Sequence, residues 1–474
     1  VGATTSEGDF PLLDDGRTAF DPSDDRQRPR ENGFVREGVG LAHLDVPLAG
    51  GRLRAVGFGL SRAGGVPGVA SRPTSTTRRR ETHLLAGLAW ERTEDGQAAE
   101  DAEWRVGISA SGAFRRREFT DLDAEIGTPR DTEDDSVRAV ARVAGAGRAL
   151  DWLELSGVAL YTHESLFASD RGQADDPSGR DRGTLGAEAR LFGRIDSTRF
   201  DIRPSARVSA VSSRLTSLRP DRADNESFEL APTFRLGAAL SPLPDVTIAA
   251  SASSATRMPS MVELFGDRGV LVGDPSLRPE RAESFDLGVA LRGRHEALRG
   301  QAELRGFVTL ASDLIRYARV DALRAVPQNV DQAVLGGAEL GVRGSLTRHV
   351  SLRGALTLLA TSTEHLGVTR QLPLRPTVSA YVRPEVRAFD VGPLSRVSAF
   401  VDLAFVSASF WDPANQGVLA ERARFGAGLS VAVWRDRLRV DASVSDLTDA
   451  RGTDRLGLPL PGRALWVSAT LRSR

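Results

Sequence analysis

Hydrophobic and polar residues alternate along most of this chain. Leu84, Ala86, Leu88 and Trp90 lie on one face, and comparable runs recur as far as the C-terminus. A period of two indicates β-strands whose two faces meet different environments, and no window of similar length keeps the 3.6-residue spacing of a helix. The pattern predicts an all-β protein with about nineteen strands, the first of them over residues 39–49.

The predicted strands are long, and the connections between them alternate in length. Many strands span about 9–12 residues, whereas strands of soluble sandwiches average about 5–6 and tilted strands that cross a bilayer need about 9–11. The short connections are 49–51, 194–198, 241–245, 346–349 and 434–437, and the long ones are 61–82, 114–135, 162–183, 254–283, 312–335 and 447–462. Tight turns at one rim and long loops at the other are typical of a large antiparallel up-and-down transmembrane β-barrel.

Arginine supplies all 62 basic residues of the chain. On the predicted strands the arginines fall on the face opposite the apolar one: Arg203, Arg207, Arg235, Arg292, Arg305, Arg343, Arg353, Arg383, Arg424 and Arg439. An arginine that faces lipid at the bilayer midplane costs about 2–4 kcal/mol, so a barrel requires this separation. An ordinary antiparallel sheet with one solvated face also separates charge. The length of the strands and the alternation of short and long connections therefore favour the barrel.

Composition excludes several other classes of protein. The net charge of −1 gives no electrostatic reason to expect a nucleic-acid partner. The absence of cysteine removes disulfides, thiolate metal sites and a cysteine nucleophile. The first residues, VGATTSEGDF, have neither the basic nor the apolar segment of a signal peptide. Either the protein stays in the cytoplasm or its true start lies upstream of Val1.

The sequence offers no strong candidate for catalysis or metal binding. Its six histidines are scattered, without the HExxH spacing of a zinc site, and the nucleophile motif G-x-S-x-G is absent. Asp121, Asp123 and Glu125 form an acidic stretch and are weak candidates for a hard cation, which needs about 6–8 oxygen ligands. A solvated acidic loop is the better interpretation. We therefore expect no catalytic residue, no metal site and no cofactor.

Two neighbouring stretches carry a family signature. RMPSMVELFGDRG and GDPSLRPERAESFDLG, in residues 257–288 of the chain, resemble the signature of TonB-dependent outer-membrane receptors. The matching residues are Arg257, Pro259, Glu263, Leu264, Phe265, Pro275, Leu277, Pro279 and Glu280. Asp274 stands where this family usually has Asn, and Asp286 replaces the usual Glu.

Further stretches agree with the same resemblance. Asn329 and Glu339 are similar to the family's return into a strand, and QLPLRP over 371–376 is similar to its Leu-Pro-x-x-Pro segment. The closing strand is matched at Pro459, Pro461, Gly462 and Arg463, with Asp446 in place of Asn. Proline fixes φ and biases the preceding residue towards extended geometry, so we interpret the signature residues as structural rather than as ligand contacts.

The resemblance implies a 22-stranded barrel that is filled by an N-terminal plug domain. With the last strand as the twenty-second, residues 39–49 become the fourth. Residues 1–38 are then an extracellular loop region after a missing strand, and residues 39–474 are the C-terminal part of the barrel. The plug is expected upstream of Val1. The family usually ends in an aromatic residue, whereas this chain ends in LRSR.

The resemblance also implies a function. Such receptors lie in the outer membrane of Gram-negative bacteria and actively import a scarce metal chelate, such as a ferric siderophore or cobalamin. The TonB–ExbB–ExbD complex energises them through the plug. We expect a monomer surrounded by outer-membrane lipid, with ligand contacts in the long loops 61–82, 114–135, 254–283 and 312–335. A passive pore, a surface-binding barrel and a soluble all-β enzyme are the alternatives.

Overall fold

The computed structural model of the chain consists almost entirely of β-strands. The residues that it describes are 1–14, 23, 26–70, 72–94, 102–170, 173–174, 178–215, 225–266, 271–295, 298–319, 324–365, 368–434, 436–450, 452–455 and 458–472. One short helix, α1 (Met261–Phe265), interrupts the β-structure. Within these residues no helix is both long enough and apolar enough to cross a membrane.

The strands form one large sheet of 22 members. Two members are short and extend the ends of longer strands: Gln173–Ala174 and Val368–Arg370. The other strands, in chain order, are β1 (Gly2–Ser6), β2 (Val35–Leu48), β3 (Gly51–Gly65), β4 (Arg78–Thr93), β5 (Trp104–Asp121), β6 (Arg130–Leu150), β7 (Leu153–Asp170), β8 (Ser178–Ile195), β9 (Thr198–Leu215), β10 (Asn225–Leu243), β11 (Val246–Arg257), β12 (Glu280–His295), β13 (Leu298–Arg319), β14 (Ala325–Ser345), β15 (Val350–His365), β16 (Val378–Val391), β17 (Leu394–Val406), β18 (Arg422–Val433), β19 (Leu438–Ser445) and β20 (Ala464–Leu471).

Each strand from β2 onward pairs antiparallel with the one before it in the chain, which is the up-and-down topology that the sequence predicts. The long connections carry four small hairpins of their own. These hairpins join Pro11–Asp14 to Arg26–Pro29, Gly68–Val69 to Arg72–Pro73, Ser409–Phe410 to Val418–Leu419, and Thr453–Arg455 to Leu458–Pro459. The predicted fold class, a large antiparallel β-barrel, is confirmed.

The two faces of the sheet differ in chemistry as the alternation predicts. On β10 the residues Phe228, Leu230, Phe234 and Leu236 are all more than half exposed and lie on one face. The opposite face of the strands carries arginines that form ion pairs with carboxylates on the same or neighbouring strands. We call the apolar face outward and the polar interior the bore. Because neighbouring residues alternate between the faces, a register slip by one residue would turn the arginines towards lipid.

The strands β2 to β20 are nineteen in number, in agreement with the prediction. Most of them are longer than predicted and reach 22 residues in β13, whereas β19 and β20 have 8 residues each. Much of each predicted ligand-binding loop is therefore paired strand. The connections that remain in place of 61–82, 114–135, 254–283 and 312–335 are residues 66–77, 122–129, 258–279 and 320–324.

The loop boundaries were wrong for a physical reason. Above the apolar band both faces of a strand are polar, so alternation disappears although backbone pairing continues. Arg80 on β4, for example, lies opposite Glu118 on β5, within the predicted loops.

Residues 1–38 also contain strand structure. The strand β1 pairs with the start of β2, where Gly2 lies opposite Val39, and a small hairpin follows it. The predicted first strand, 39–49, begins four residues earlier, at Val35. The assignment of this region to the cell exterior stays a prediction.

The tight turns have the backbone geometry that a two-residue hairpin requires. Between β2 and β3, Ala49 and Gly50 have φ of 50° and 71°. Positive φ at both central residues matches the right-handed twist of the flanking strands. The indole Nε1 of Trp90 donates a hydrogen bond to the carbonyl of Leu48 at 3.0 Å beside this turn.

Leu236→Arg tests which face of the barrel meets lipid. Leu236 is outward and 52% exposed, so its replacement should lower the free energy of unfolding from lipid vesicles by about 2–4 kcal/mol. The matched control is the adjacent Gly237→Arg, which points into the bore, where a Cβ would meet nothing within 4 Å. Denaturant titration measures the free energy of unfolding of both variants. Equal losses in the two variants would contradict the assignment of the faces.

Candidate functional site

The connection between β11 and β12, residues 258–279, contains most of the family signature and is called the signature loop. It begins with the helix α1, whose N-terminus is closed by a capping box. The Glu263 backbone N–H donates to Ser260 Oγ at 3.2 Å, and the Ser260 N–H donates to Glu263 Oε2 at 2.7 Å. This reciprocal pair satisfies N–H groups that a helix end otherwise leaves without partners.

Arg257 joins the signature loop to both flanking strands. Its Nη1 and Nη2 donate to the two carboxylate oxygens of Glu263 at 2.9 and 3.1 Å, and its Nε donates to Glu280. The other oxygen of Glu280 accepts the backbone N–H of Ile315 at 2.6 Å. Planar, bidentate pairing is the strong form of an arginine–carboxylate contact. One guanidinium thus fixes the start of the loop, its helix and its end.

Glu263 is only 6% exposed, so its charge needs compensation. Burial alone would raise the pKa of this carboxyl, but the guanidinium of Arg257 and the N–H of Ser260 reverse the effect, and its pKa lies below the usual value. Glu263 is therefore an ionised structural group.

A small apolar cluster lies behind this charged contact. Leu264 and Leu277 pack with Ile315 of β13, and Phe265 covers them. The Asp274 N–H donates to the carbonyl of Glu263 at 2.9 Å, so the Pro275–Pro279 segment lies folded against the helix. The structure therefore brings together all nine residues of this part of the signature in one anchored unit.

Asn329 holds the other side of the signature loop. Its Oδ1 accepts the N–H of Arg278 at 2.8 Å, and its Nδ2 donates to the carbonyls of Arg278 and Asp313 at 3.0 and 2.6 Å. Asp313 has a φ of 54°, which marks a local break in the β13–β14 ladder. The side-chain amide supplies the donor and the acceptor that the irregular backbone needs.

Arg180 is an anchor that sequence reasoning missed. It lies on β8, is 4% exposed, and donates from Nη1 to the carbonyl of Pro259 at 2.7 Å and from Nε to Ser213 Oγ at 3.2 Å. It is 79 residues from Pro259 in sequence, and no local pattern marks the contact. Only the fold brings the two together.

The remaining signature residues lie elsewhere. Glu339 lies opposite Arg305 within the β13–β14 ladder. Near the C-terminus, the Arg463 N–H donates to Asp449 Oδ1 at 2.8 Å, and Pro459 pairs with Thr453 in a small hairpin. Pro461 and Gly462 lie between that hairpin and β20. These contacts fit a structural role, which stays a prediction.

The acidic candidates Asp121, Asp123 and Glu125 join two loops. Glu125 accepts five hydrogen bonds from residues 75–77, among them the Ser75 N–H at 2.6 Å. Asp121 accepts the N–H groups of Glu125 and Ile126, and Asp123 accepts the Thr76 hydroxyl. Protein donors thus occupy the oxygens that a cation would need. Within the described residues no group of three or more His, Cys, Asp or Glu could hold a metal ion.

Arg257→Gln tests the anchoring of the signature loop. The variant leaves Glu263 buried without its partner. It should therefore lower the free energy of opening the signature loop by about 3 kcal/mol. Hydrogen exchange of the amides in residues 258–279 should accelerate accordingly. The double variant Arg257→Gln/Glu263→Gln should lose less stability than the sum of the losses in the two single variants. Strict additivity would show that the two side chains act independently.

The hydrogen bonds that Glu125 accepts from Ser75–Thr77 should persist in mild acid. Burial raises the pKa of Glu125, but the hydrogen bonds from Ser75, Thr77 and the backbone outweigh it and lower the pKa well below its usual range. A lowered folded pKa gives stability that is complete above the unfolded value of about 4.3 and is lost as the pH falls through the folded value.

Hydrogen exchange of the Ser75–Thr77 amides should therefore remain slow from pH 7 to about 4. Glu125→Gln should abolish this protection at every pH. Glu118→Gln, which removes the ion pair with Arg80, is the control and should have little effect. Loss of protection at the pH of an ordinary glutamate would contradict this interpretation.

Comparison with known proteins places this geometry in a family. Residues 19–466 match the family model described as TonB dependent receptor-like, beta-barrel. No curated protein sequence matches the chain.

Solved structures share the fold. The copper transporter OprC is 16% identical with a TM-score of 0.74, over 93% of this chain and 72% of the transporter. The ferric yersiniabactin uptake receptor FyuA from Yersinia pestis is 13% identical with a TM-score of 0.71, over 98% of this chain and 73% of the receptor. The siderophore receptor PiuA from Acinetobacter baumannii is 14% identical with a TM-score of 0.67, over 92% of this chain and 74% of that receptor.

The family model describes receptors, which confirms the expectation that the chain is not an enzyme. At such identities the similarity to solved structures shows a common fold, whereas the family model covers most of the sequence. The chain therefore belongs to the TonB-dependent receptor-like β-barrel family.

Proposed function

We propose that this protein is an active transporter of the outer membrane of a Gram-negative bacterium. Its cargo is a scarce metal chelate, such as a ferric siderophore, cobalamin or a similar compound. The family match over residues 19–466 carries the proposal. The named functions of similar structures, which include copper transport and siderophore reception, support the class of cargo.

The distribution of side chains fits transport without bond chemistry. The outward face offers apolar residues to lipid, and the bore offers charged residues to water and solute. The connections 66–77, 122–129 and 258–279 lie together at the rim opposite the tight turns, where a ligand first meets the protein. Hydrogen bonds from residues 75–77 to Glu125 join the first two of these connections to each other. No cofactor, metal site or nucleic-acid partner enters the proposal, and the protein acts as a monomer.

Energy for the transport comes from the TonB–ExbB–ExbD complex, which acts on such receptors through a plug domain. A polar bore alone would also suit a passive pore. The family match over residues 19–466 favours a receptor.

Uptake of a radiolabelled chelate separates the two functions. Cells that make the protein should accumulate ferric siderophore, and deletion of TonB should abolish the accumulation. Binding of the chelate to the cell surface should survive that deletion, because binding needs no energy. A passive pore would instead admit the chelate equally in both strains.

A further inference from the structure

A groove with a volume of about 520 Å³ lies on the outward face of β6–β10, and we call it the outer groove. Larger side chains stand beside it, among them Leu185 and Leu230, which are 64% and 62% exposed. The space between them is left by small residues: Ala141, Ala159, Gly183 and Ala210. The volume lies within the about 300–1,000 Å³ of pockets that hold small molecules.

The strand register places these residues on the side of the sheet that meets lipid. Ala159 lies opposite Leu185, which in turn lies opposite Val208. Ala210 lies opposite Leu230, a residue of the outward face of β10. Side chains two positions apart on a strand share a face, so the five residues all point outward. The part of a ligand that fills this groove must therefore be apolar.

Three polar side chains lie at the upper end of the outer groove, and we call Tyr161, His163 and Asp181 the polar trio. Tyr161 lines the groove, and its hydroxyl donates a hydrogen bond to Asp181 Oδ1. His163 lies directly opposite Asp181, with its Nδ1 2.9 Å from the same oxygen. Asp181 and Gly183 are two positions apart on β8, so the trio shares the outward face with the groove.

The height of the polar trio on the barrel sets what it meets. Leu153 is the first residue of β7 after a tight turn. From Leu153 to His163 the strand climbs about 25 Å, at about 3.3 Å per residue and a tilt of about 40°. The apolar band of such barrels is also about 25 Å tall. The trio therefore lies at the upper boundary of the band, where hydrocarbon gives way to lipid headgroups.

The polar trio offers hydrogen-bond acceptors to a headgroup. A carboxylate only accepts hydrogen bonds, so His163 Nδ1 carries the shared proton, and Nε2 of the neutral ring is an acceptor. Neither Asp181 Oδ2 nor His163 Nε2 has a partner in the described part of the chain. The side chains of His163 and Asp181 are 42% and 50% exposed. Two acceptors with one negative charge are best matched by a donor with a positive charge.

We propose that the outer groove binds one membrane lipid whose headgroup carries a primary ammonium, as in phosphatidylethanolamine. An acyl chain of the lipid lies in the groove along Gly183 and Ala210, and the ammonium donates hydrogen bonds to Asp181 and His163. A quaternary ammonium has the same charge but no N–H to donate. An anionic headgroup would bring a like charge to Asp181. Lipid binding at this site is independent of the cargo that the barrel transports.

Two lipids with identical acyl chains test the headgroup. Phosphatidylethanolamine and phosphatidylcholine differ only in whether the ammonium carries N–H groups. Native mass spectrometry of the full chain, purified in detergent and titrated with each lipid, should show one tightly bound lipid. The affinity for phosphatidylethanolamine should be about tenfold higher, which is the effect of one hydrogen bond to a charged group. Phosphatidylglycerol, whose headgroup is anionic, should bind more weakly than phosphatidylethanolamine.

Variants separate the headgroup contact from the acyl-chain contact. Asp181→Asn should remove most of the preference for phosphatidylethanolamine over phosphatidylcholine. The control Glu118→Gln removes a carboxylate of β5 that lies outside the outer groove and should keep the preference. Gly183→Leu fills the groove at a position where a Cβ meets nothing within 4 Å. It should weaken both lipids by a similar factor, and because it adds an apolar side chain to the outward face, the barrel should still fold.

Equal affinity for phosphatidylethanolamine and phosphatidylcholine would overturn the proposal. So would a preference that survives Asp181→Asn, or affinities that Gly183→Leu leaves unchanged. Dimers in the same spectra that disappear in Gly183→Leu would show that a second copy of the chain occupies the groove, and would also overturn it. If Asp181→Asn fails to fold, the comparison of the lipids on the unaltered protein still decides. The titration uses neither a chelate nor TonB, so its outcome is independent of the uptake assay.

Discussion

The hydrogen-bond ladder between successive strands is the constraint on which the whole structure depends. In hydrocarbon no water is present to satisfy a backbone N–H or carbonyl, so each strand must pair along its length. Pairing sets the register, and the register sets which residues meet lipid. The alternation of leucine and arginine along the strands is therefore a consequence of backbone chemistry. The positions of the ion pairs in the bore follow from it as well.

The sequence predicts the fold because alternation is a local property. The tight turns and the nineteen strands could be read from residues close together in the chain. The upper ends of the strands could not, because polar residues occupy both faces there and no alternation remains. Arg80 and Glu118 illustrate the limit, since only their pairing across β4 and β5 reveals that they lie on strands.

The site was predictable in part. The resemblance identified Arg257, Glu263, Glu280 and Asn329 as signature residues. The structure shows that Arg257 pairs with Glu263 and Glu280 beside α1, and that Asn329 donates a hydrogen bond to the carbonyl of Asp313. The contacts of Arg180 with Pro259 and of Ser75–Thr77 with Glu125 could not be predicted from the sequence, because each joins residues more than forty positions apart. Composition likewise shows that arginine is abundant, but only the structure shows which arginines pair with carboxylates on neighbouring strands.

The capping box of α1 limits which side chain can occupy its third position. Glu263 reaches back to the Ser260 N–H while both of its oxygens also face Arg257. Aspartate has the same charge but is one methylene shorter, so it could not span both contacts from the same backbone. At this position the length of the side chain is constrained as strongly as its charge, and a substitution that preserves charge is not conservative.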